Sequence, residues 1–316
     1  MKSFTFLVLG FGLLVSPAFA QTPGVPPTAP PPALPAPLPV DPLWRRGFKT
    51  GLGFNESLLS DNWRGGGVST IGFNALANGK ANRKNGPHSF DNEADFLFAF
   101  AQTKGLGYRK GQDRLYLDTK YGRALSPKWD MFLSLNLLTQ FAPGFQYDKD
   151  AGQERARAVS DFFAPGFITA AYGFEFHPVP TFRLRLAPFA PRLTVVNRAE
   201  RFVAALGDTP YGVRPGHSTR FEVLAAQILA DLDQPLSPTV NLKARYLLFA
   251  NYRDLTPQQI DHRLDFGLTA KVGRYVNVAL TAIALYDADQ ATAVQYSQGL
   301  TLGVAYAVQN FADAKK

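Results

Sequence analysis

The chain has no cysteine among its 316 residues. That excludes disulfides, thiolate metal sites, a cysteine nucleophile and a lipid-modified N-terminal cysteine. Beyond the first twenty residues it also has no apolar run of the ~20 residues that a membrane-crossing helix needs. Charge of one sign is not gathered anywhere. Lys and Arg total 33 against 25 Asp and Glu, a net +8, but the charges alternate with apolar residues. No basic helix or RNA-binding motif is present, so nucleic acid is not an expected partner. The four histidines are scattered without ligand spacing on one face, so neither a metal nor another cofactor is expected.

What is present is two-residue periodicity. Leu115, Leu117, Thr119 and Tyr121 fall on one face of an extended chain, with Arg114, Tyr116, Asp118 and Lys120 on the other. A break follows at Ser126-Pro127. Trp129, Met131, Leu133, Leu135 and Leu137 then oppose Asp130, Ser134, Asn136 and Gln140. The pattern predicts an antiparallel hairpin. Its arms exceed the ~5–6 residues of a soluble strand and suit a tilted membrane-crossing strand. Tyr121 and Trp129 meet at the turn end of the apolar face, where an aromatic belt touches the membrane surface.

Residues 1–20 read as a signal peptide. Lys2 supplies the positive start, Phe4 to Val15 the apolar stretch, and Ala18-Phe19-Ala20 the small residues before the cut. Residues 21–43 form a Pro-rich linker, where proline blocks both helix and sheet pairing. It reads as a spacer in the periplasm, or as a docking segment for a periplasmic partner.

From residue 44 to residue 311 the alternation predicts an all-β fold, a transmembrane antiparallel up-and-down barrel of about twelve strands. The strands are expected near 44–56, 67–81, 89–102, the hairpin above, 162–177, 181–196, 217–231, 239–250, 260–272, 275–286 and 294–308. The eighth is ambiguous. Phe221, Val223, Ala225 and Leu229 compete with Leu224, Ala226 and Ile228 for the lipid face. Pro165 and Pro188 call for a bulge or a strand end. Short links at 82–88, 126–127, 178–180, 234–238 and 273–274 alternate with longer ones at 57–66, 103–111, 142–161, 197–216, 251–259 and 287–293. Short periplasmic turns and longer outer loops give that rhythm, so both termini are expected in the periplasm of a Gram-negative envelope. Residues 312–316 are a C-terminal tail that leaves Phe311 as the last aromatic.

Asn62 to Gly67, Asp113-Arg114 leading into Lys120-Tyr121-Gly122, Gln140 to Gly144 and Ser160 to Pro165 resemble, in that order, a family of Bacteroidota outer-membrane barrels catalogued as a domain of unknown function. The resemblance covers roughly residues 62–196. It implies an outer-membrane barrel and no established activity, and no functional residue carries over from it.

Chemistry is sparse. The glycines at 65–67 and 105–107 do not sit between a strand and a helix as a phosphate cradle does. His217-Ser218 and His88-Ser89 are neighbours whose side chains point to opposite faces of a strand, so no enzyme is expected. Trp63, Tyr121, Trp129 and Phe141 are candidate interface aromatics. The inward faces hold the candidate lumen lining: Asp91, Glu93 and Asp95; Arg114, Asp118 and Lys120; Arg183 and Arg185; Lys243 and Arg245. Those last four would make one basic wall facing the acidic third strand. Either these charges line a narrow, weakly anion-preferring passive channel for small solutes, or they pair and fill a structural or assembly barrel. A lipid-modifying barrel enzyme is the least favoured reading. The expected partners are membrane lipid and the barrel-assembly machinery.

Overall fold

The computed structural model describes residues 43–57, 70–103, 105–150, 153–273 and 275–311. The leader, most of the linker, Trp63 and the C-terminal tail lie outside these. In chain order the strands are β1 (Trp44–Ser57), β2 (Thr70–Asn85), β3 (His88–Thr103), β4 (Gly107–Ser126), β5 (Trp129–Thr139), β6 (Gly144–Asp150), β7 (Gln153–Ser160), β8 (Gly166–Val179), β9 (Phe182–Phe189), β10 (Arg192–Val195), β11 (Thr219–Glu222), β12 (Ala225–Pro235), β13 (Val240–Asn251), β14 (Asp261–Lys271), β15 (Val276–Asp287) and β16 (Ala291–Gln309). No helix among the described residues is long and apolar enough to cross a membrane.

β6 and β7 form a separate two-stranded sheet. The other fourteen strands join in one antiparallel sheet. β9 and β10 are two parts of one interrupted strand, as are β11 and β12, so the wall has twelve staves. The sheet closes on itself. β8 pairs with both β9 and β10, and β1 pairs with β16 from Gly47↔Gln309 to Phe54↔Leu302. Closure removes the unpaired edges of an open sheet.

The side chains are distributed inside out relative to a soluble protein. On β5, Leu133 and Leu135 are 56% and 51% exposed, while Ser134 and Asn136 are 4% and 6% exposed. Lys120 is among the most buried side chains of the chain, and Leu52, Leu300 and Tyr306 are exposed. Every second residue faces inward, and on β4 and β5 Asp118, Lys120, Ser134 and Asn136 are buried polar ones, which is the pleat of a strand applied to a closed wall.

Two rims result. Turns at 86–87, 127–128, 180–181, 236–239 and 272–275 mark one, together with the first residue of β1 and the last of β16. The longer connections mark the other. Trp44 packs on Phe90, and Trp129 on Phe176 at 4.8 Å, at the turn rim. Phe54, Phe73, Phe100 and Tyr108 form a chain of rings at the loop rim, and Phe141 bridges Phe96 and Phe162 there.

Two links expected to be long are short. β4 begins at Gly107, with Leu106 N–H donating to the Thr103 carbonyl at 3.0 Å. Gly105 and Gly107 both have positive φ, the backbone state a tight turn needs and glycine tolerates. β16 begins at Ala291, only three residues after β15. The link at 142–161 is not a plain loop but contains the β6–β7 hairpin, and the link at 197–216 holds short helical turns, including α1 (Val203–Leu206).

Both registers proposed for the eighth strand occur. Phe221 faces out and Glu222 in on β11, but Leu229, opposite Arg185, faces in on β12. The switch lies at Val223-Leu224, both exposed, where the inward parity passes from even to odd numbers. The neighbouring stave switches at Pro188-Phe189, both exposed, between inward Ala187 and inward Ala190. Ala190 N–H donates to Ala225 O at 2.7 Å, so the two breaks sit side by side. Pro188 falls one residue before the end of β9, and Pro165 just before β8.

Candidate functional site

Side chains from opposite walls meet in the lumen. Around the ring, β3 and β13 stand six staves apart, half of twelve, and so do β4 and β14. Arg245 of β13 nevertheless reaches Glu93 of β3 at 2.8 Å while holding Asp231 at 2.5 Å. Arg114 of β4 reaches Asp265 of β14 at 2.6 Å and also pairs with Asp95 of β3. Arg263 adds a second cation to Asp265 at 2.8 Å. These contacts cross the full width of the barrel and form a floor.

A second group lies next to it. Arg185 binds Asp118 at 2.8 Å and Glu175 at 2.9 Å. Lys120 binds Glu175 at 2.6 Å and Asp91 at 3.1 Å. Tyr116 lies under the Arg245 guanidinium at 4.6 Å, and Phe132 under that of Arg185 at 5.7 Å. Buried charges are tolerated where each is paired and hydrogen-bonded, and here most carry two partners.

All ten candidate lining residues are on inward positions. Of the candidate interface aromatics, Tyr121, Trp129 and Phe141 are exposed on the outside; Trp63 is not among the described residues. The basic wall meets the acidic third strand, through Arg245 and Glu93, but carboxylates interrupt it. Lys243 pairs with Asp233 at 3.2 Å, Arg185 and Arg245 are each held by two carboxylates, and Arg183 stands opposite Asp231 across β9 and β12. Carboxylates from β4, β8 and β12 intercalate among the bases, because inward positions on adjacent strands lie side by side.

Sequence reasoning missed Glu175, Asp231, Arg192 and Asp261. Glu175 was visible in principle, alternating with Phe174 and Phe176. Arg192 was hidden by the parity switch at Pro188-Phe189. It stacks on Phe249 at 3.2 Å and binds Asp261 at 2.8 Å.

On the loop side of the floor lies a chamber of about 100 Å³. Its lining adds apolar Leu138, Phe167, Leu229, Leu247 and Leu285 to polar Asn136, Thr139, Thr169 and Gln227. Over the mouth, Val196, Ala199, Phe202, Tyr211 and Val213 pack with Ala164 into a small buried cluster. Tyr211 donates its hydroxyl to Val159 O at 2.6 Å, and burial, then the Asp287 carboxylate, pushes its phenol up. Asp161, beside this cluster, is held below the usual carboxylate range. Burial opposes that shift, but the Phe162 N–H and the Arg201 guanidinium outweigh it.

Wall and lumen together define a closed twelve-stave antiparallel β-barrel with a charged interior and an apolar exterior. A family model described as "Protein of unknown function (DUF3078)" matches residues 54–145. That span includes the Asp113-Arg114, Lys120–Gly122 and Gln140–Gly144 segments and stops before Ser160. No curated protein matches. Among solved structures, the chain is similar to the translocator domain of autotransporter NalP from Neisseria meningitidis, at 13% identity over 83% of this chain and 87% of that one, with a TM-score of 0.34. It is similar to the COG4313 outer membrane channel from Pseudomonas putida F1, at 10% identity over 89% of this chain and 100% of that one, with a TM-score of 0.36. Likenesses this distant transfer no activity.

Proposed function

We propose that the chain is an outer-membrane β-barrel that is shut at mid-height in its resting state, a structural or assembly barrel rather than an open passive pore. The observation that carries this reading is the pair of contacts Arg245–Glu93 and Arg114–Asp265, which join opposite walls. The membrane assignment is supported by the apolar exterior and by the aromatics at both rims. Phe90 and Phe100 are ten residues apart on β3. At ~3.4 Å per residue and ~40° tilt, that is about 26 Å along the barrel axis, close to the ~25 Å apolar band of such barrels. The leader pattern read in residues 1–20 supports export, and the start of β1 and the end of β16, both at the turn rim, support a periplasmic start and end.

The test is planar-bilayer recording of the refolded full chain. The wild type is expected to show no steady conductance, and Arg114→Ala with Arg245→Ala is expected to conduct. Steady wild-type conductance would restore the channel reading. Arg183→Glu with Arg185→Glu would then show, by its zero-current potential in a salt gradient, whether the pore prefers anions.

A further inference from the structure

The chamber above the floor has a charge balance that specifies a ligand. Its guanidiniums are all engaged by carboxylates: Arg114 and Arg263 with Asp265, Arg245 with Asp231 and Glu93, Arg192 with Asp261. An anion would have to displace one of them. Asp287 is different. It is 6% exposed and borders the chamber. Its carboxylate accepts from the Gln290 side-chain amide at 2.6 Å and from Asp289 N–H at 2.9 Å. No cation lies within ion-pair distance of it among the described residues. Asp287 is therefore the one carboxylate of the chamber lining without an ion-pair partner among the described residues.

A second, smaller cavity, of about 20 Å³, shares Phe167, Arg192, Asp261 and Asp287 with the chamber and continues toward the loop rim beside Tyr211 and Gln259. Glu222, Asp254 and Asp289 join Asp261 and Asp287 there, five carboxylates against the two guanidiniums of Arg192 and Arg220. A passage lined by an excess of one sign raises the local concentration of the opposite sign. Past it Phe167, Leu229, Leu247 and Leu285 offer apolar contact, beside the polar side chains of Asn136, Thr139, Thr169 and Gln227. An acidic throat opening on a partly apolar chamber suits a molecule with one cationic group and an apolar body.

We propose that the loop-side chamber binds a small organic amine, with its ammonium at Asp287 and its apolar body against Leu229, Leu247 and Leu285. The closed floor makes the chamber a dead end, but binding itself does not depend on the floor.

Isothermal titration of the full chain in detergent, with empty micelles as the blank, tests this with phenethylamine, 3-phenylpropionate and 2-phenylethanol. Phenethylamine is expected to bind saturably and the other two not. Asp287→Asn keeps the side chain's shape and is expected to weaken amine binding by about tenfold or more, the size of one charge-assisted hydrogen bond. Leu247→Trp fills the chamber without touching Asp287 and is expected to abolish binding. Heat-modifiable migration in gels confirms that each variant is folded. Absence of saturable amine binding, stronger binding of the carboxylate, or retained binding in Leu247→Trp would each overturn the proposal. If Asp287→Asn does not fold, the three-ligand comparison and Leu247→Trp still decide it. A wild type that conducts but binds the amine would sink the shut-barrel reading and leave this one standing.

Discussion

Arg245 and Glu93 stand on opposite walls of the barrel and meet at 2.8 Å. Arg245 also binds Asp231 at 2.5 Å and covers the ring of Tyr116. A guanidinium in a confined lumen reaches both carboxylates because its planar fork presents five donors in fixed directions. The pairing thus acts as a tie across the lumen as well as an obstruction in it.

Glu175→Gln is expected to lower stability by about 3 kcal/mol or more, since it removes the shared counter-ion of Lys120 and Arg185, both buried. Asp233→Asn breaks the exposed pair with Lys243 and is expected to cost no more than ~1 kcal/mol. Urea unfolding of both in the same lipid gives the comparison. Equal effects would mean that the Lys120 cluster is solvated.

The exterior allows a depth test. Leu135 is exposed in the middle of β5, and Leu125 is exposed at the turn rim. Leu135→Arg is expected to cost about 2–4 kcal/mol in a bilayer and Leu125→Arg about 0–1. If both substitutions were harmless in lipid, these leucines would not face hydrocarbon.

Much of this fold is legible in the residue pattern, because one physical rule governs it along most of the chain. A strand between lipid and lumen must alternate, so each stave from β1 to β16 leaves a period of two. The pattern fails where the rule is interrupted. At Val223-Leu224 and Pro188-Phe189 the parity changes, so one strand shows two apolar faces, and Arg192 falls on a position that a continuous strand would turn outward. The β6–β7 hairpin lies outside the sheet, so no lipid face marks it. The pairing partners were illegible for another reason. Alternation says that Arg245 faces inward, but only closure and stagger of the wall say that Glu93 is opposite.

The processing site is open to direct measurement. Ala18 and Ala20 fit a signal-peptidase pocket, so the mature chain is expected to begin at Gln21. N-terminal peptides from the membrane fraction, read by mass spectrometry, decide it. Residues before Ala20 in that fraction would refute cleavage there.

The β6–β7 hairpin gives a test of orientation. Its two strands pair only with each other, and a lone hairpin is marginally stable in water. It is anchored at its base. Lys110 Nζ donates to Gln140 Oε1 and Ala142 O at 2.7 Å and to Ser160 Oγ at 2.9 Å. Arg109 covers Tyr147 at 4.0 Å, and Arg157 donates to Ala204 O at 3.0 Å. Lys149 and Arg155 are close in sequence to residues 151–152, which join the strands. Trypsin acts on transiently opened backbone, so cleavage should begin near that tip rather than at the anchored base. With the loop rim outward, trypsin added to intact cells is expected to cut at Lys149 or Arg155 first, at Arg157 later, and to spare Lys128 in the 127–128 turn. Lys110→Ala, which frees the base, is expected to speed cleavage at Arg157 several-fold. Protection of the hairpin until the outer membrane is opened, with Lys128 cut first in intact cells, would place the loop rim in the periplasm and invert the barrel.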